Sequence, residues 1–152
     1  MLNLDKIDYI DSNFDDGLNL LNYKCNLKCY LFKVGNECSN LTGGWSGKDY
    51  YNSGSTLAII STSTSTRYIS TVNTINTTGY SSLSFTVTSY DYSFKCGITT
   101  SKGNHNSYAT STRPYSAGTT TASISSYQSS YYVQISNADP VTGYVSNVWL
   151  TP

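Results

Sequence analysis

Charge is scarce in this sequence. Only 12% of its 152 residues are charged, and nine basic residues balance nine acidic ones to a formal net charge of zero. Proteins that bind nucleic acid through its phosphates need clustered Lys and Arg. The scattered basic residues therefore argue against a nucleic-acid partner.

Long apolar runs are also missing. No stretch approaches the roughly 18 apolar residues of a membrane span. The opening sequence, MLNLDK, has neither the basic nor the apolar region of a signal peptide. We therefore expect no membrane partner, and a place in a virion, outside the cell or on a cell surface.

Groups that carry catalysis are few. His105 is the single histidine and lies in a predicted loop tip. A glycosidase needs two carboxyls beside the scissile bond, but Glu37, Asp49, Asp91 and Asp139 are widely spaced. Phosphate-binding, dinucleotide-binding and nucleophile-elbow motifs do not occur. We expect no catalytic residue, no metal and no cofactor. A glycan-active enzyme is the minor alternative, because two carboxyls can still meet in space.

Helix-forming residues are rare, and Ser, Thr and Tyr supply most of the polar content. Thr and Tyr favour strands. Short alternating runs between turn residues predict strands at 56–61, 67–72, 82–89, 92–99, 107–112, 120–125, 130–136 and 144–150. Three of these runs present an apolar face, formed by Leu83, Phe85 and Val87, by Phe94, Cys96 and Ile98, and by Tyr131, Val133 and Ile135. This pattern predicts an all-β, jelly-roll-like β-sandwich.

The N-terminal region follows a different period. Apolar residues recur there at steps of three or four, at Leu4, Ile7, Ile10, Phe14 and Leu18. This spacing predicts a short amphipathic helix or docking arm for assembly. From Leu21 the period changes to two, which predicts a strand. We therefore divide the chain into an arm with the first strand, residues 1–30, and the sandwich, residues 31–152.

The four cysteines lie at positions 25, 29, 38 and 96. Two strand residues four positions apart are separated by about 13 Å, too far for a disulfide. Cys25 and Cys29 are therefore not expected to pair with each other in a strand. Buried free thiols are the main expectation, with a bridge from Cys38 or Cys96 as the alternative.

Four short motifs carry a resemblance to a known family. They are GNEC at residues 35–38, TGGW at 42–45, YSSLSF at 80–85 and VWL at 148–150. Together they resemble the jelly-roll domain of tail-associated proteins from phages and prophages of gut Firmicutes, over roughly residues 31–152. The resemblance implies a virion or cell-surface module that faces glycans.

Tyrosines in loops or outside the apolar faces are candidates for sugar contact, because Tyr combines an apolar ring with a polar tip. Polar neighbours supply hydrogen bonds. The candidate glycan-binding residues are Tyr50, Tyr51, Tyr90, Tyr92, Asn104, Tyr108, Arg113, Tyr115 and Tyr127. Trp45 and Trp149 are expected to pack within the sandwich instead.

Two functions remain. The first is a non-enzymatic virion structural protein, such as a fibre, tail or capsid-decoration component, whose sandwich contacts host-surface or mucus glycans. Its partners are other virion proteins or copies of itself, with a homotrimer as one arrangement. The second is a free-standing carbohydrate-binding module.

Overall fold

A computed structural model describes residues 28–32, 41–60, 67–89, 94–139 and 142–152. The predicted arm, with Leu4, Ile7, Ile10, Phe14 and Leu18, lies outside the described residues, as do Tyr90 and Tyr92. The described part contains strands and no helix. Accordingly, no helix in these ranges could span a membrane.

Twelve strands are present in the described ranges. They are β1 (Cys29–Phe32), β2 (Trp45–Lys48), β3 (Tyr50–Asn52), β4 (Leu57–Ile59), β5 (Arg67–Thr71), β6 (Ile75–Asn76), β7 (Ser82–Ser89), β8 (Lys95–Thr99), β9 (Thr110–Thr112), β10 (Gly118–Ser123), β11 (Ser130–Asn137) and β12 (Gly143–Thr151). Each of the eight predicted strands overlaps one of these. The sequence pattern missed β2, β3 and β6, which have only two to four residues each.

The strands form two antiparallel sheets packed face to face. Sheet A has the order β10-β7-β12-β4-β3, with β1 also paired to β12. Sheet B has the order β2-β5-β11-β8-β9, with β6 also paired to β11. β9 lies against β10, β5 against β4 and β2 against β3. The all-β sandwich prediction is therefore confirmed, whereas the jelly-roll topology stays a prediction.

The core lies between the sheets and is built by alternation. Leu83, Phe85 and Val87 of β7 are buried, as are the apolar residues predicted to face inward from β8. The rings of Phe85 and Phe94 stack with centroids 6.4 Å apart. Trp45 is buried, and its Nε1 donates to the carbonyl of Leu31 at 3.0 Å. Its predicted packing role is confirmed.

The cysteines correct one expectation. Cys29 is disulfide-bonded, so the prediction of a free thiol is wrong there. Alternation in a strand indicates which side a cysteine faces, but it does not distinguish a thiol from a disulfide. Cys96 is free and fully buried, as predicted. Burial raises the pKa of this thiol, which disfavours the reactive thiolate. Cys25 and Cys38 lie outside the described residues.

Candidate functional site

The outer face of sheet A is the side turned away from sheet B. Its inward neighbours on β7 and β12 are core residues, so strand alternation turns the intervening residues outward. We define the face by Tyr30, Tyr51, Ala58, Ser82, Ser84, Thr86, Ser89, Thr119, Thr121, Ser123, Tyr144, Asn147, Trp149 and Thr151. None of these side chains is charged. Aromatic rings lie toward one edge of the face and hydroxyls toward the other.

An aromatic row crosses this face near one end. Tyr51 pairs with Ala58, Ala58 with Tyr144, and Tyr144 with Ser89. Residues that pair across strands share one side of the sheet. Tyr51 is 55% exposed and Tyr144 is 41% exposed, whereas Ala58 between them is 3% exposed. Two strand spacings separate the backbones of the two tyrosines by about 10 Å, and the small, covered side chain of Ala58 lies between them.

Hydroxyl pairs fill the other half of the face. Ser84 Oγ lies 2.8 Å from Thr121 Oγ1, and Thr86 Oγ1 lies 3.0 Å from Thr119 Oγ1. Each hydroxyl has one donor and two acceptor positions. One bond within a pair therefore leaves a donor and several acceptors available, and exposed Thr119 and Thr121 offer them to solvent.

Trp149 faces outward but is covered. Only 8% of it is exposed. The ring of Tyr30 lies 5.9 Å away, and Lys28 Nζ lies 4.8 Å from the Trp149 ring centroid. Trp149 therefore packs within the protein, as predicted, although on the outside of sheet A rather than between the sheets.

The β8–β9 loop, residues 100–109, covers part of the outer face of sheet B. Gln134 points outward from β11 but is fully buried. Its Oε1 accepts from the backbone N–H of Gly103 at 2.7 Å, and its Nε2 donates to the carbonyl of Asn104 at 3.2 Å. Gly103 has a φ of +86°, which glycine adopts without strain. At the base of the loop, the Thr99 hydroxyl donates to the carbonyl of Ser101 at 2.9 Å.

His105, in the same loop, contacts β11 through a hydrogen bond. Its Nδ1 lies 2.8 Å from Ser136 Oγ, and the Tyr108 hydroxyl lies 2.7 Å from that same oxygen. Burial, then the charges of Lys95 and Arg113, lower the pKa of His105 to about 4, against an opposing effect of Asp139. The imidazole is therefore neutral near pH 7.

Ser136 and His105 resemble a nucleophile and its base, but their surroundings favour another role. Ser136 is fully buried under the loop, and its oxygen contacts both His105 and Tyr108. Burial raises the pKa of Tyr108 and lowers that of Lys95. The cluster holds the loop against β11 and does not present the Ser136 hydroxyl to a substrate.

The described candidate sugar-binding residues occupy separate places. Tyr51 lies on the outer face of sheet A, while Tyr50, its neighbour in β3, packs against the core. Asn104 and Tyr108 belong to the loop over sheet B. Asn104 Oδ1 accepts from the backbone of Asn106 at 2.9 Å, and this bond shapes the turn.

The remaining candidates lie elsewhere again. Arg113 and Tyr115 follow β9, at the edge opposite β3, where Tyr115 is 92% exposed. Tyr127 packs edge-on against Tyr131 with centroids 6.1 Å apart. The predicted residues are therefore not brought together. Tyr144 was missed, because strict alternation back from inward-facing Val148 would turn it inward, whereas a register shift between Val145 and Asn147 turns it outward.

No family model matches the chain, and comparisons with curated proteins and with solved structures find no similar protein. Within the described ranges, no three His, Cys, Asp or Glu side chains group as metal ligands would.

Proposed function

We propose that this chain is a non-enzymatic structural module of a phage particle or appendage, and that the outer face of sheet A contacts neutral glycans on a host surface or in mucus. The observation that carries the glycan contact is the aromatic row, in which Tyr51 and Tyr144 flank Ala58. The motif resemblance and the all-β fold support the structural role.

The chemistry of the face favours a neutral sugar. Pyranose rings stack their apolar sides on aromatic rings, and their hydroxyls take hydrogen bonds from neighbouring polar groups. The face supplies both kinds of group, since the Ser and Thr rows run beside the tyrosines. An anionic glycan would require cationic side chains to pair with it. The aromatic row and the Ser and Thr rows contain none, and Lys28, which lies over this face, is held 4.8 Å from the Trp149 ring centroid.

The spacing of the tyrosines favours an oligosaccharide over a single sugar. The two tyrosines stand on strands about 10 Å apart, so they present two separate rings to a ligand. A short chain that lies across Ala58 can place one sugar on Tyr51 and a later one on Tyr144. Asn147 lies one row further along β12, where its amide can bond sugar hydroxyls.

A non-enzymatic role is supported by the surroundings of the groups that might catalyse hydrolysis. Asp49 precedes β3, whereas Asp139 follows β11 in the other sheet. The single histidine is bonded to a buried serine. Glu37 and Asp91 lie outside the described residues. The placement of the described groups supports our proposal that the chain binds glycans without cleaving them.

Affinity electrophoresis through gels of neutral glucan, mannan or galactan tests the glycan contact, with a uronic-acid polymer as the anionic comparison. Tyr51→Ala and Tyr144→Ala should each weaken retardation by at least about tenfold, equal to roughly 1.4 kcal/mol. Tyr115→Ala is the matched control, because this tyrosine is 92% exposed but lies off the face. Equal loss in all three variants, or no retardation of the wild type, would contradict the proposal.

The mass of the native complex tests the structural role. A chain recovered within a large particle supports it. A chain recovered as a monomer that still binds glycan favours the free-standing carbohydrate-binding module.

A further inference from the structure

We propose that the outer edge of β10 pairs with β10 of a second copy of this chain, antiparallel and with Thr121 opposite Thr121. The pairing joins the two A sheets into one continuous sheet. This inference goes beyond the glycan contact and does not depend on it.

Among the described residues, the strands that end the main order of each sheet differ in how well they are protected from pairing with another chain. β3 and β9 have three residues each, and β2 has four. β2 ends in Lys48, and β9 runs directly into Arg113 and a proline. Short length, charge and proline are devices that stop an edge strand from pairing with another chain. β10 has six residues, GTTTAS, with no charge and no proline.

β10 is also continuous in its pairing with its neighbour. Its register with β7 runs without a shift from Gly118 opposite Val87 to Ser123 opposite Ser82. Gly118 has a φ of +130°, which lies outside the extended region, so the regular stretch is 119–123. The middle of that stretch is Thr121, which makes Thr121 the centre of a symmetric pairing.

The inner side of β10 is anchored to the other sheet. Ala122 is buried, and Thr120 Oγ1 lies 3.0 Å from Thr112 Oγ1 of β9. A strand held in this way keeps its backbone aligned for pairing. The outward side chains, Thr119, Thr121 and Ser123, are exposed.

A second copy fits this edge because the edge complements itself. Around Thr121, an antiparallel two-fold pairing places Thr119 opposite Ser123 and Thr120 opposite Ala122. Cross-strand Thr and Ser pairs are favourable, and no like charges meet. The formal net charge of zero leaves little long-range repulsion between copies. A two-fold contact of this kind closes on itself as a dimer.

The contact is small, so the dimer should depend on concentration. Five paired residues form a contact about 17 Å long. The area buried by so short a contact is smaller than that of a standard protein interface. In the dimer the two outer faces of sheet A lie side by side on one surface. Any ligand long enough to reach both would gain avidity.

Charge complementation tests the pairing. In the proposed register, Thr121→Lys places two lysines opposite each other, and Thr121→Glu places two glutamates opposite each other. Sedimentation velocity should show each variant monomeric where the wild type dimerises, with the midpoint moved at least about tenfold in concentration. Mixing the two variants should restore the dimer. Thr88→Lys, an exposed position one strand inward on β7, should dimerise as the wild type does.

A cysteine at the centre provides a second measurement. Opposed residues in antiparallel strands have Cα atoms about 4.5–5.5 Å apart, within disulfide range. Thr121→Cys should therefore form a covalent dimer on mild oxidation, well above the levels of Thr88→Cys and of the wild type. Near-ultraviolet circular dichroism confirms that each variant is folded. A wild type that stays monomeric at every concentration, Lys and Glu variants that dimerise unmixed, or equal crosslinking at both positions overturns the proposal.

Discussion

The outer faces of the two sheets are built from the same strand pattern but differ in their exposure to solvent. Both present polar side chains from strands whose alternate residues are core. On sheet A most of those side chains meet solvent, although Ser84 is only 4% exposed, and Tyr51 and Tyr144 stand exposed among them. On sheet B the β8–β9 loop covers Gln134 and Ser136 completely. Alternation therefore sets the direction of a side chain, while a distant loop decides whether it is exposed.

The difference changes what each polar group contributes to stability. A hydroxyl on the open face can replace a lost partner with water, so its bond is worth little net free energy. A buried polar group cannot, and leaving it unpaired costs about 1–3 kcal/mol. In the described ranges every buried side-chain N or O atom has a partner. Matched substitutions on the two faces should therefore differ in cost.

The largest effect is expected at Gln134. Gln134→Leu keeps much of the volume but removes the partners of the Gly103 N–H and the Asn104 carbonyl. We expect the free energy of unfolding to fall by about 2–3 kcal/mol. Thr119→Val removes a hydroxyl contact with Thr86 on the open face and should cost less than about 1 kcal/mol. Urea denaturation measures both values.

The order of these two effects is the informative result. Equal costs would mean that the loop does not seal the face and that water reaches Gln134. Proteolysis gives an independent measurement, because a released loop is cut faster in native buffer. Gln134→Leu should accelerate cleavage within residues 100–109, and Thr119→Val should not.

The second effect is a dependence of stability on pH through His105. Its pKa is about 4 in the folded protein and near 6.5 in the unfolded chain. The unfolded chain thus takes up the proton first, so stability falls as the pH drops from about 6.5 to about 4 and levels off below. Lys95 and Arg113 oppose protonation, and Asp139 favours it. Because the ring is partly exposed, we expect a loss of only about 1 kcal/mol.

His105→Gln isolates this contribution. Glutamine keeps a hydrogen-bonding group near Ser136 but does not titrate in this range. The difference between wild type and variant, measured by urea denaturation at each pH, removes the carboxylates that titrate in both proteins. The stability of the wild type should fall more than that of the variant between pH 7 and pH 4. An equal fall would show that the imidazole is not buried against Ser136. Thr119→Val should have the same pH profile as the wild type.

Features of the fold and of the candidate site could be predicted where they depend on residues close together in the sequence, and not where they depend on distant ones. The buried face of β7 could be predicted because Leu83, Phe85 and Val87 alternate within one short segment. The covering of sheet B by the β8–β9 loop could not be predicted, because Gln134 and Gly103 are 31 positions apart and neither residue type marks the contact. The aromatic row depends on registers across three strands, so Ala58 gave no local signal. Tyr144 could not be predicted from alternation either, because the register shift between Val145 and Asn147 reverses the direction that alternation gives.

The smallest effect compares two lysines that lie over aromatic rings, one on each outer face. Lys102 Nζ lies 4.7 Å from the Tyr132 ring centroid on sheet B and donates to the carbonyl of Val72 at 3.0 Å. Lys28 Nζ lies 4.8 Å from the Trp149 ring centroid on sheet A. An exposed cation–π contact is worth about 0.5–1 kcal/mol.

Lys102→Met should cost more than Lys28→Met, because the Lys102 ammonium also holds the loop that covers sheet B. We expect about 1 kcal/mol for Lys102 and about 0.5 kcal/mol for Lys28. Lys48→Met, at an exposed edge position of β2, controls for the loss of one positive charge. Urea denaturation at low and at moderate salt measures all three. If Lys28→Met lowered the free energy of unfolding more than Lys102→Met, the contact with Trp149 would contribute more to stability than the attachment of the loop. That result would contradict the contrast between the two faces.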